Sequence, residues 1–510
     1  MQSHRPQLGL ALGLTAILLA ACSDSSDRAP TAPVPEPPAP PPAPTYLPVA
    51  QPEVADPPEA GNLFLLSTTF DLAEVGYQQR EFFLSGEATA FSNVSELGSD
   101  GAWDAEPAET APYRTRVVVY QPLDAADFSG TVLVEWLNVT AGFDTGPSYG
   151  SGHVEILRQG HVWVGVSAQR VGIEGSDTPV APLHLKAVNR ARYESLEHPG
   201  DSFSYDMFSQ AAQALREPGN MDLLDGLEVE RLIAMGESQS AGRLVSYINA
   251  VHPLYNTFDG YMVHSRGDGA PPLRQAPLEP VTTPDSVLIR DDLNVPVFNF
   301  QTETDVLLLG SINDRQPDSD RFRLWEVAGT AHGDYYSFII GREDTGEDPR
   351  FLLVEEANGI PGFLNCARPV NAGPMAWVFG AALRALDTWV RDGTAPPTGD
   401  LLAVNDAGSA FLKDDLGNVQ GGVRTPWVDA PVAILSGGGQ EGDRLCFLFG
   451  TTVLFDAAQM ASLYVDQAGY EAAVSAALDN AIAGGFLLEE DAPRIRAVAP
   501  LQWQSQVPGE

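Results

Sequence analysis

The segment 231–243, Arg-Leu-Ile-Ala-Met-Gly-Glu-Ser-Gln-Ser-Ala-Gly-Arg, constrains the fold more than any other part of the chain. Its apolar run Leu232–Met235 is typical of a buried strand, and the residues after Ser238 are typical of a helix. A serine between such a strand and helix predicts a sharp turn that exposes its hydroxyl above a parallel sheet. The positions two before and two after the serine must be small, because strand and helix approach closely there. Gly236 and Ser240 meet this condition, although glycine is usual at the second position, and Ser238 is therefore predicted to be a nucleophile.

The literal pattern Gly-x-Ser-x-Gly occurs elsewhere, at residues 146–150 around Ser148. No apolar strand leads into it, because residues 140–145 have the composition of a loop. Pro147 also lacks the backbone N–H that a turn of this kind can use. We therefore predict that Ser148 lies in a loop or at the start of a helix and is not the nucleophile.

Strand and helix patterns alternate along most of the chain, after a part rich in strand-forming residues from about 62 to 120. Strands are predicted at 115–120, 130–137, 161–167, 231–235, 258–264, 295–300 and 322–327, and helices at 201–216, 243–250, 374–392, 456–468 and 470–485. This alternation predicts an α/β fold with a mostly parallel central sheet and helices on both faces. The part from residue 401 onward is predicted to be an elaboration packed on that sheet. The Pro-rich segment 265–292 is expected to contact substrate, as long loops in such enzymes often do.

A nucleophilic serine needs a base, and the base needs an acid that orients it. In hydrolases with this turn, the acid and then the histidine follow the serine, each after a strand. His332 lies in a Gly-flanked loop after the strand 322–327, and it is the predicted base. Asp305 and Glu303 both follow the strand 295–300, and either side chain has the reach to orient His332. His264 precedes this acid-bearing strand and fits the order poorly.

Acyl transfer also needs donors for the oxyanion of the tetrahedral intermediate, each contributing about 3–4 kcal/mol. One is predicted to be the backbone N–H of Gln239, which follows the nucleophile. The second is expected from the loop after the strand 130–137, where the amide of Val139 or of Thr140 is a candidate.

The first residues have the pattern of an export signal rather than of a folded domain. A basic residue, Arg5, precedes an apolar run over 8–21 that is too short for a stable membrane-spanning helix. The sequence Leu-Ala-Ala-Cys over 19–22 resembles a bacterial lipobox, in which Cys22 becomes the lipid-bearing first residue. We predict a signal peptide over 1–21, and Ser23 after the cysteine favours the outer membrane of a Gram-negative cell. Residues 22–58 are rich in Pro and Ala, which predicts a disordered tether before a catalytic domain over 59–510.

Charge and cysteine content limit the partners of the protein. With 68 acidic and 29 basic residues, its net charge of −39 argues against nucleic-acid partners and against a broad electrostatic contact with anionic lipid. Any membrane attachment is therefore expected through the N-terminal lipid alone. Cys366 and Cys446 remain as a pair in an oxidising compartment, where a disulfide is the default. Their spacing matches no redox or zinc motif.

Four motifs together resemble one bacterial and fungal α/β-hydrolase family that is named only by its domain. They are Val134–Thr140, Gly236–Arg243, Gln301–Asp305 and Ala328–Gly333. Segments 371–374, 422–427 and 446–450 also resemble that family, so the likeness covers most of residues 60–510. It implies an α/β-hydrolase fold and a catalytic triad of Ser238, His332 and either Asp305 or Glu303.

These features predict a serine hydrolase that attacks a small-molecule or polymeric ester, or a lactone, and that needs no metal or organic cofactor. Two alternatives stay open at this point. One is a surface lipoprotein that binds a ligand or partner on the same scaffold without turnover. The other is an amidase or acyltransferase that uses the same triad.

Overall fold

The computed structural model describes residues 45–58, 62–360 and 364–508. The strands of the main sheet are β1 (Glu53–Ala55), β2 (Tyr77–Asn93), β3 (Ala105–Pro122), β4 (Thr131–Trp136), β5 (Val162–Val166), β6 (Arg231–Glu237), β7 (Gly260–His264), β8 (Val297–Thr302) and β9 (Phe322–Val327). Their spatial order is β1-β2-β3-β5-β4-β6-β7-β8-β9. The pairs from β5 to β9 are parallel, whereas β1, β2 and β3 pair antiparallel at one edge. The strand-rich first part predicted from the sequence is this edge.

Helices lie in several of the connections between the strands and in the C-terminal part. They are α1 (Pro147–Arg158), α2 (Arg170–Glu174), α3 (Leu185–Val188), α4 (Arg190–Tyr193), α5 (Ser204–Arg216), α6 (Gln239–Ser246), α7 (His252–Tyr255), α8 (Glu303–Leu307), α9 (Met375–Asp392), α10 (Pro426–Asp429), α11 (Ala457–Tyr464), α12 (Gln467–Ala483) and α13 (Ala492–Gln506). Short 3₁₀ turns lie at Leu72–Val75, Ala125–Asp127, Ser311–Asp314, Gly341–Glu343, Pro349–Leu352, Cys446–Leu448 and Glu489–Asp491, and π-helical turns at Tyr247–Val251 and Tyr336–Ile340. Two small hairpins pair β10 (Gly359–Ile360) with β11 (Leu364–Asn365) and β12 (Ala433–Ser436) with β13 (Thr451–Leu454).

The central strands are buried on both faces, which explains their continuous apolar sequences. In β6, Leu232 and Ala234 pack into one core layer with α5 and α6. The alternate residues, Ile233 and Met235, pack into the opposite layer with α1, α9 and the C-terminal helices. The C-terminal part therefore completes the second core layer of the main sheet.

One sequence prediction is wrong in detail. The tether predicted over 22–58 extends too far, because Glu53–Ala55 pairs with β2 and the side chain of Val54 is buried. Contact between substrate and the segment 265–292 stays a prediction, and the segment lines neither of the two cavities around Ser238. Instead its Leu273, Val287 and Ile289 pack into the first core layer, where their burial stabilises the loop.

The predicted signal peptide and lipid-bearing Cys22 lie outside the described residues. Across 45–58, 62–360 and 364–508, no helix combines the length and apolar character needed to cross a bilayer.

Candidate active site

Ser238 occupies the turn between β6 and α6, at the carboxyl end of the parallel sheet. Its backbone has φ 59° and ψ −119°, a positive-φ conformation that residues with a side chain rarely adopt. The N–H of Ser238 donates to the carbonyl of His264 at 2.9 Å, which ties the turn to β7. Strain of this kind is held in place by surrounding structure and concentrates at functional sites.

The small residues around the turn, Gly236 and Ser240, have different structural roles. A Cβ at Gly236 would lie 3.2 Å from the backbone of Ser240, closer than most such contacts, so glycine favours the close approach of strand and helix. Ser240, in the position where glycine is usual, donates its hydroxyl to the carbonyl of Glu237 at 2.8 Å. The same hydroxyl accepts from the N–H of Glu237 at 3.1 Å. The serine therefore closes the turn by side-chain hydrogen bonds that a glycine lacks.

His332 and Asp305 form a buried pair behind this turn. The Nδ1 atom of His332 lies 2.6 Å from Oδ1 of Asp305. The second oxygen of Asp305 accepts from the N–H and the hydroxyl of Thr302, both at 2.7 Å. The backbone N–H of His332 donates to the hydroxyl of Thr304 at 3.1 Å. The loops after β8 and β9 therefore hold the imidazole and the carboxylate in one orientation.

Glu303, the other candidate acid, serves a different purpose. Its Oε1 accepts from the N–H of Gly329 at 2.7 Å, and its Oε2 accepts from the N–H of Gly437 at 2.8 Å. Burial raises the pKa of Glu303 to about 7, against the two amide donors that favour its charged form. The structure brings Asp305 to the imidazole of His332, whereas Glu303 links the loop after β9 to the loop after β12.

A second carboxylate that sequence reasoning missed faces the other side of His332. Oε1 of Glu237 lies 3.1 Å from Nε2 of His332, and its Oε2 accepts from Nδ2 of Asn138 at 3.2 Å. The available signal was the position of Glu237 directly before Ser238, where a side chain points toward the same cavity. The imidazole of His332 therefore lies between two carboxylates, those of Glu237 and Asp305.

This arrangement controls the protonation of the site. Burial lowers the pKa of His332, but the charges of Glu237 and Asp305 outweigh burial and raise that pKa above its usual value. Burial raises the pKa of Glu237, and the charge of His332 opposes this. The ion pair between Glu237 and His332 favours the imidazolium, which cannot accept a proton from serine.

The backbone N–H groups predicted to bind an oxyanion differ in whether they already have a hydrogen-bond acceptor. Gln239 is the first residue of α6, so its N–H has no acceptor within the helix. The N–H of Thr140 is already donated to Oδ1 of Asn138 at 2.8 Å. The N–H of Val139 has no hydrogen-bond acceptor among the described residues. Val139 is therefore the better candidate of the two residues in the loop after β4.

Ser148 lies at the second position of α1 and is fully buried. Its hydroxyl is 3.3 Å from Nδ1 of His264, whose ring stacks on Phe379 with centroids 4.1 Å apart. Burial lowers the pKa of His264 to about 3, so this histidine is neutral at physiological pH. Ser148 belongs to the packing between helix and sheet.

Ser238, His332 and Glu237 line a cavity of about 80 Å³. The rest of its wall comes from the loop after β4 and from Pro147, Gly333, Phe338, Leu445, Leu448 and Phe449. A disulfide joins Cys366 to Cys446, which lies beside these last two residues and ties their loop to β11. In the described part of the chain, no cluster of three or more His, Cys, Asp or Glu side chains has a metal-binding arrangement.

One comparison with known proteins identifies a family. A family model described as "Alpha/beta hydrolase domain" matches residues 49–497. A search of the curated proteins finds no match. Among solved structures, fungal esterases from Rhizomucor miehei align over 50% of this chain and 77% of theirs, at 12% identity and a TM-score of 0.25. A glucuronoyl esterase from Solibacter usitatus aligns over 49% of this chain and 76% of its own, at 12% identity and a TM-score of 0.26.

Proposed function

The chain belongs to the alpha/beta hydrolase domain family, and from its site we propose that it is a serine hydrolase of carboxylic esters or lactones. The family match confirms the α/β-hydrolase fold predicted from the sequence, with its mostly parallel sheet between helices. One observation carries the proposal. Ser238, on a strained turn, shares a cavity with His332, whose far nitrogen is bound by Asp305.

The proposed reaction begins when neutral His332 accepts the proton of the Ser238 hydroxyl at Nε2. The serine oxygen attacks the substrate carbonyl, and the N–H groups of Gln239 and Val139 stabilise the oxyanion. The resulting imidazolium lies between Asp305 and Glu237, which both favour its positive charge. It then gives its proton to the departing alcohol, and an acyl-enzyme on Ser238 remains.

A water molecule completes the cycle. His332 takes a proton from this water, the hydroxide attacks the acyl carbonyl, and the collapse of the second intermediate returns the proton to Ser238. This sequence consumes one ester and one water and releases one acid and one alcohol. It uses only side chains and backbone amides of the chain.

A fluorophosphonate probe, which phosphonylates activated serines, tests this proposal. Wild type should be labelled and should hydrolyse a soluble 4-nitrophenyl ester. Ser238→Ala should lose both properties, and His332→Ala should weaken both strongly. Ser148→Ala is the matched control and should retain both. A wild type that stays unlabelled, beside a control esterase that is labelled, would show that Ser238 is not an activated nucleophile.

A panel of an ester, a lactone and an amide with related acyl groups separates the proposed esterase from an amidase. Adding an alcohol acceptor separates hydrolysis from acyl transfer. Release of free acid from the ester or the lactone supports the proposal. Exclusive amide cleavage, or transfer without release of acid, contradicts it.

We also propose that Cys22 carries a lipid that holds the protein in the envelope of a Gram-negative cell. The lipobox-like sequence over 19–22 supports this. Mass spectrometry of protein from the membrane fraction should find a diacylglyceryl-modified Cys22 as the first residue. A protein with an unmodified N-terminus after Ala21 would contradict the proposal.

A further inference from the structure

A second and larger cavity adjoins the one that holds Ser238. Its volume is about 160 Å³, twice that of the cavity at Ser238. The two cavities share six wall residues, which lie in the loop after β4, at the start of α1 and in the two loops opposite. They are Ala141, Thr145, Pro147, Phe338, Leu445 and Phe449. An ester held at Ser238 can therefore extend one of its substituents into the larger cavity.

The wall of the larger cavity is mainly apolar, and its hydroxyl groups already have partners. The hydroxyl of Ser67 pairs with that of Tyr120 at 2.6 Å. Ser337 donates its hydroxyl to Asp334 at 2.6 Å, and Thr145 donates to a backbone carbonyl at 3.2 Å. Such a wall favours a hydrocarbon substituent, because burial of apolar surface drives binding there.

Arg342 is the exception in this wall. It carries the one charge among the described residues that line the cavity. Its Nε donates to the carbonyl of Ser67 at 2.6 Å, which fixes the guanidinium. Its Nη1 and Nη2 have no hydrogen-bond or ion-pair partner among the described residues. Arg342 is half-buried, so water can solvate these two nitrogens and the carboxylate of a ligand can replace that water.

We propose that Arg342 recognises an anionic end group on the substrate, so that the preferred esters carry an apolar chain that ends in a carboxylate. This inference rests on the proposed ester hydrolysis at Ser238. The two free nitrogens of a guanidinium match the two oxygens of a carboxylate. The apolar wall between Ser238 and Arg342 binds the chain that joins ester and carboxylate.

The carboxylate can lie on the acyl side or on the alcohol side of the ester, and two arms of one experiment distinguish these sources. The first arm uses mono-4-nitrophenyl esters of straight dicarboxylic acids of increasing length. The second uses acetate esters of ω-hydroxy acids of increasing length. Each ester has a neutral twin in which an isopropyl group of the same shape replaces the carboxylate. The measured quantity is the ratio of kcat/KM for the anionic ester to that for its twin.

In at least one arm, wild type should prefer the anionic ester by about tenfold or more at the best chain length, the factor expected of a charge-assisted hydrogen bond. Arg342→Gln should remove this preference and leave kcat/KM for the neutral twin within a few-fold. Arg342→Lys should retain part of it. Arg190→Gln is the matched control, since Arg190 is 80% exposed and pairs with Glu194, and it should change nothing.

The inference is wrong if wild type hydrolyses the neutral twins but shows no preference for the anionic esters in either arm. It is also wrong if the preference survives in Arg342→Gln. A wild type that hydrolyses neither member of any pair would instead refute the proposed ester hydrolysis itself. If wild type hydrolyses the neutral twins and Ser238→Ala does not, ester hydrolysis at Ser238 holds. A failure in the experiment then concerns only the recognition of an anion by Arg342.

Discussion

Replacing Glu237 by Gln should shift the pH dependence of catalysis toward acid. The carboxylate lies 3.1 Å from Nε2 of His332, and together with Asp305 it raises the pKa of this imidazole. An imidazolium cannot accept the proton of Ser238, so activity should fall as the pH drops through that pKa. Gln has nearly the same shape, and its oxygen can still accept from Asn138.

The distance sets the size of the effect. Two opposite unit charges 3.1 Å apart attract by about 5 kcal/mol at an effective dielectric constant of about 20. Burial of both groups offsets part of this, and an opposite charge at such a distance moves a pKa by about one to three units. The acid limb of the profile should therefore move down by about one to three pH units. At a pH below the pKa of His332 in both proteins, the fraction of neutral His332 should be about tenfold or more higher in the variant than in wild type.

The assay is kcat/KM against pH for a soluble 4-nitrophenyl ester, followed at the isosbestic wavelength of 4-nitrophenol. This parameter reports the ionisations of the free enzyme. Glu230→Gln is the matched control, because it removes the same charge from a side chain that is 64% exposed and pairs with Arg231. Its profile should overlay that of wild type, and thermal melting should show that both variants are folded.

An acid limb at the same pH in Glu237→Gln and wild type would refute this reasoning, whatever happens to the rate on the alkaline plateau. A limb that moves toward alkali would refute it as well, because it would mean that the Glu237 charge disfavours the imidazolium. If the plateau rate falls and the expected shift is also seen, Glu237 additionally contributes to substrate binding or to stabilisation of the transition state.

Four further predictions concern the residues that support the site. Asp305→Asn should lower kcat by about 10⁴ with little change in melting temperature, because His332 loses the acceptor that fixes its tautomer. Glu303→Gln should instead cost about 1–3 kcal/mol of unfolding free energy in urea titrations and leave kcat nearly unchanged, because its NH₂ would face an amide donor; equal losses of kcat would contradict the separation of the two acids. Replacing Cys366 and Cys446 by Ser should cost up to about 4.5 kcal/mol in the same titration, since the bond spans 80 residues, and an unchanged midpoint would contradict this. Asn138→Ala should lower kcat by about tenfold or more while KM changes less, because its side chain holds both the Thr140 amide and Glu237; a rise in KM alone would contradict this placement.

Local patterns were sufficient to predict the turn at Ser238 and most elements of the sheet. A serine on a strand–turn–helix is encoded within about ten consecutive residues, because the apolar strand, the small flanking residues and the helix are all adjacent in sequence. The same holds for β9 and α9, whose apolar periodicity is local. The sequence analysis did not predict the helix α13, because its burial depends on partners in α12 and in the turn Pro349–Leu352.

Contacts between distant segments required the tertiary structure. Asp305 and Glu303 are two residues apart and chemically alike, and only the start of α8 decides which of them points at His332 and which at the amides of Gly329 and Gly437. Glu237 lies beside His332 because β6 ends, and the loop after β9 begins, at the same edge of the sheet.

The sequence alone determined that this chain places a serine on a strained turn, because that arrangement depends on neighbours along the chain. The tertiary structure decided the electrostatic environment of that serine and the shape of the space beside it. Both depend on distances between residues far apart in sequence, such as Glu237 and His332 or Ser67 and Arg342. Coulombic interaction and burial are set by such distances, and a linear pattern does not contain them.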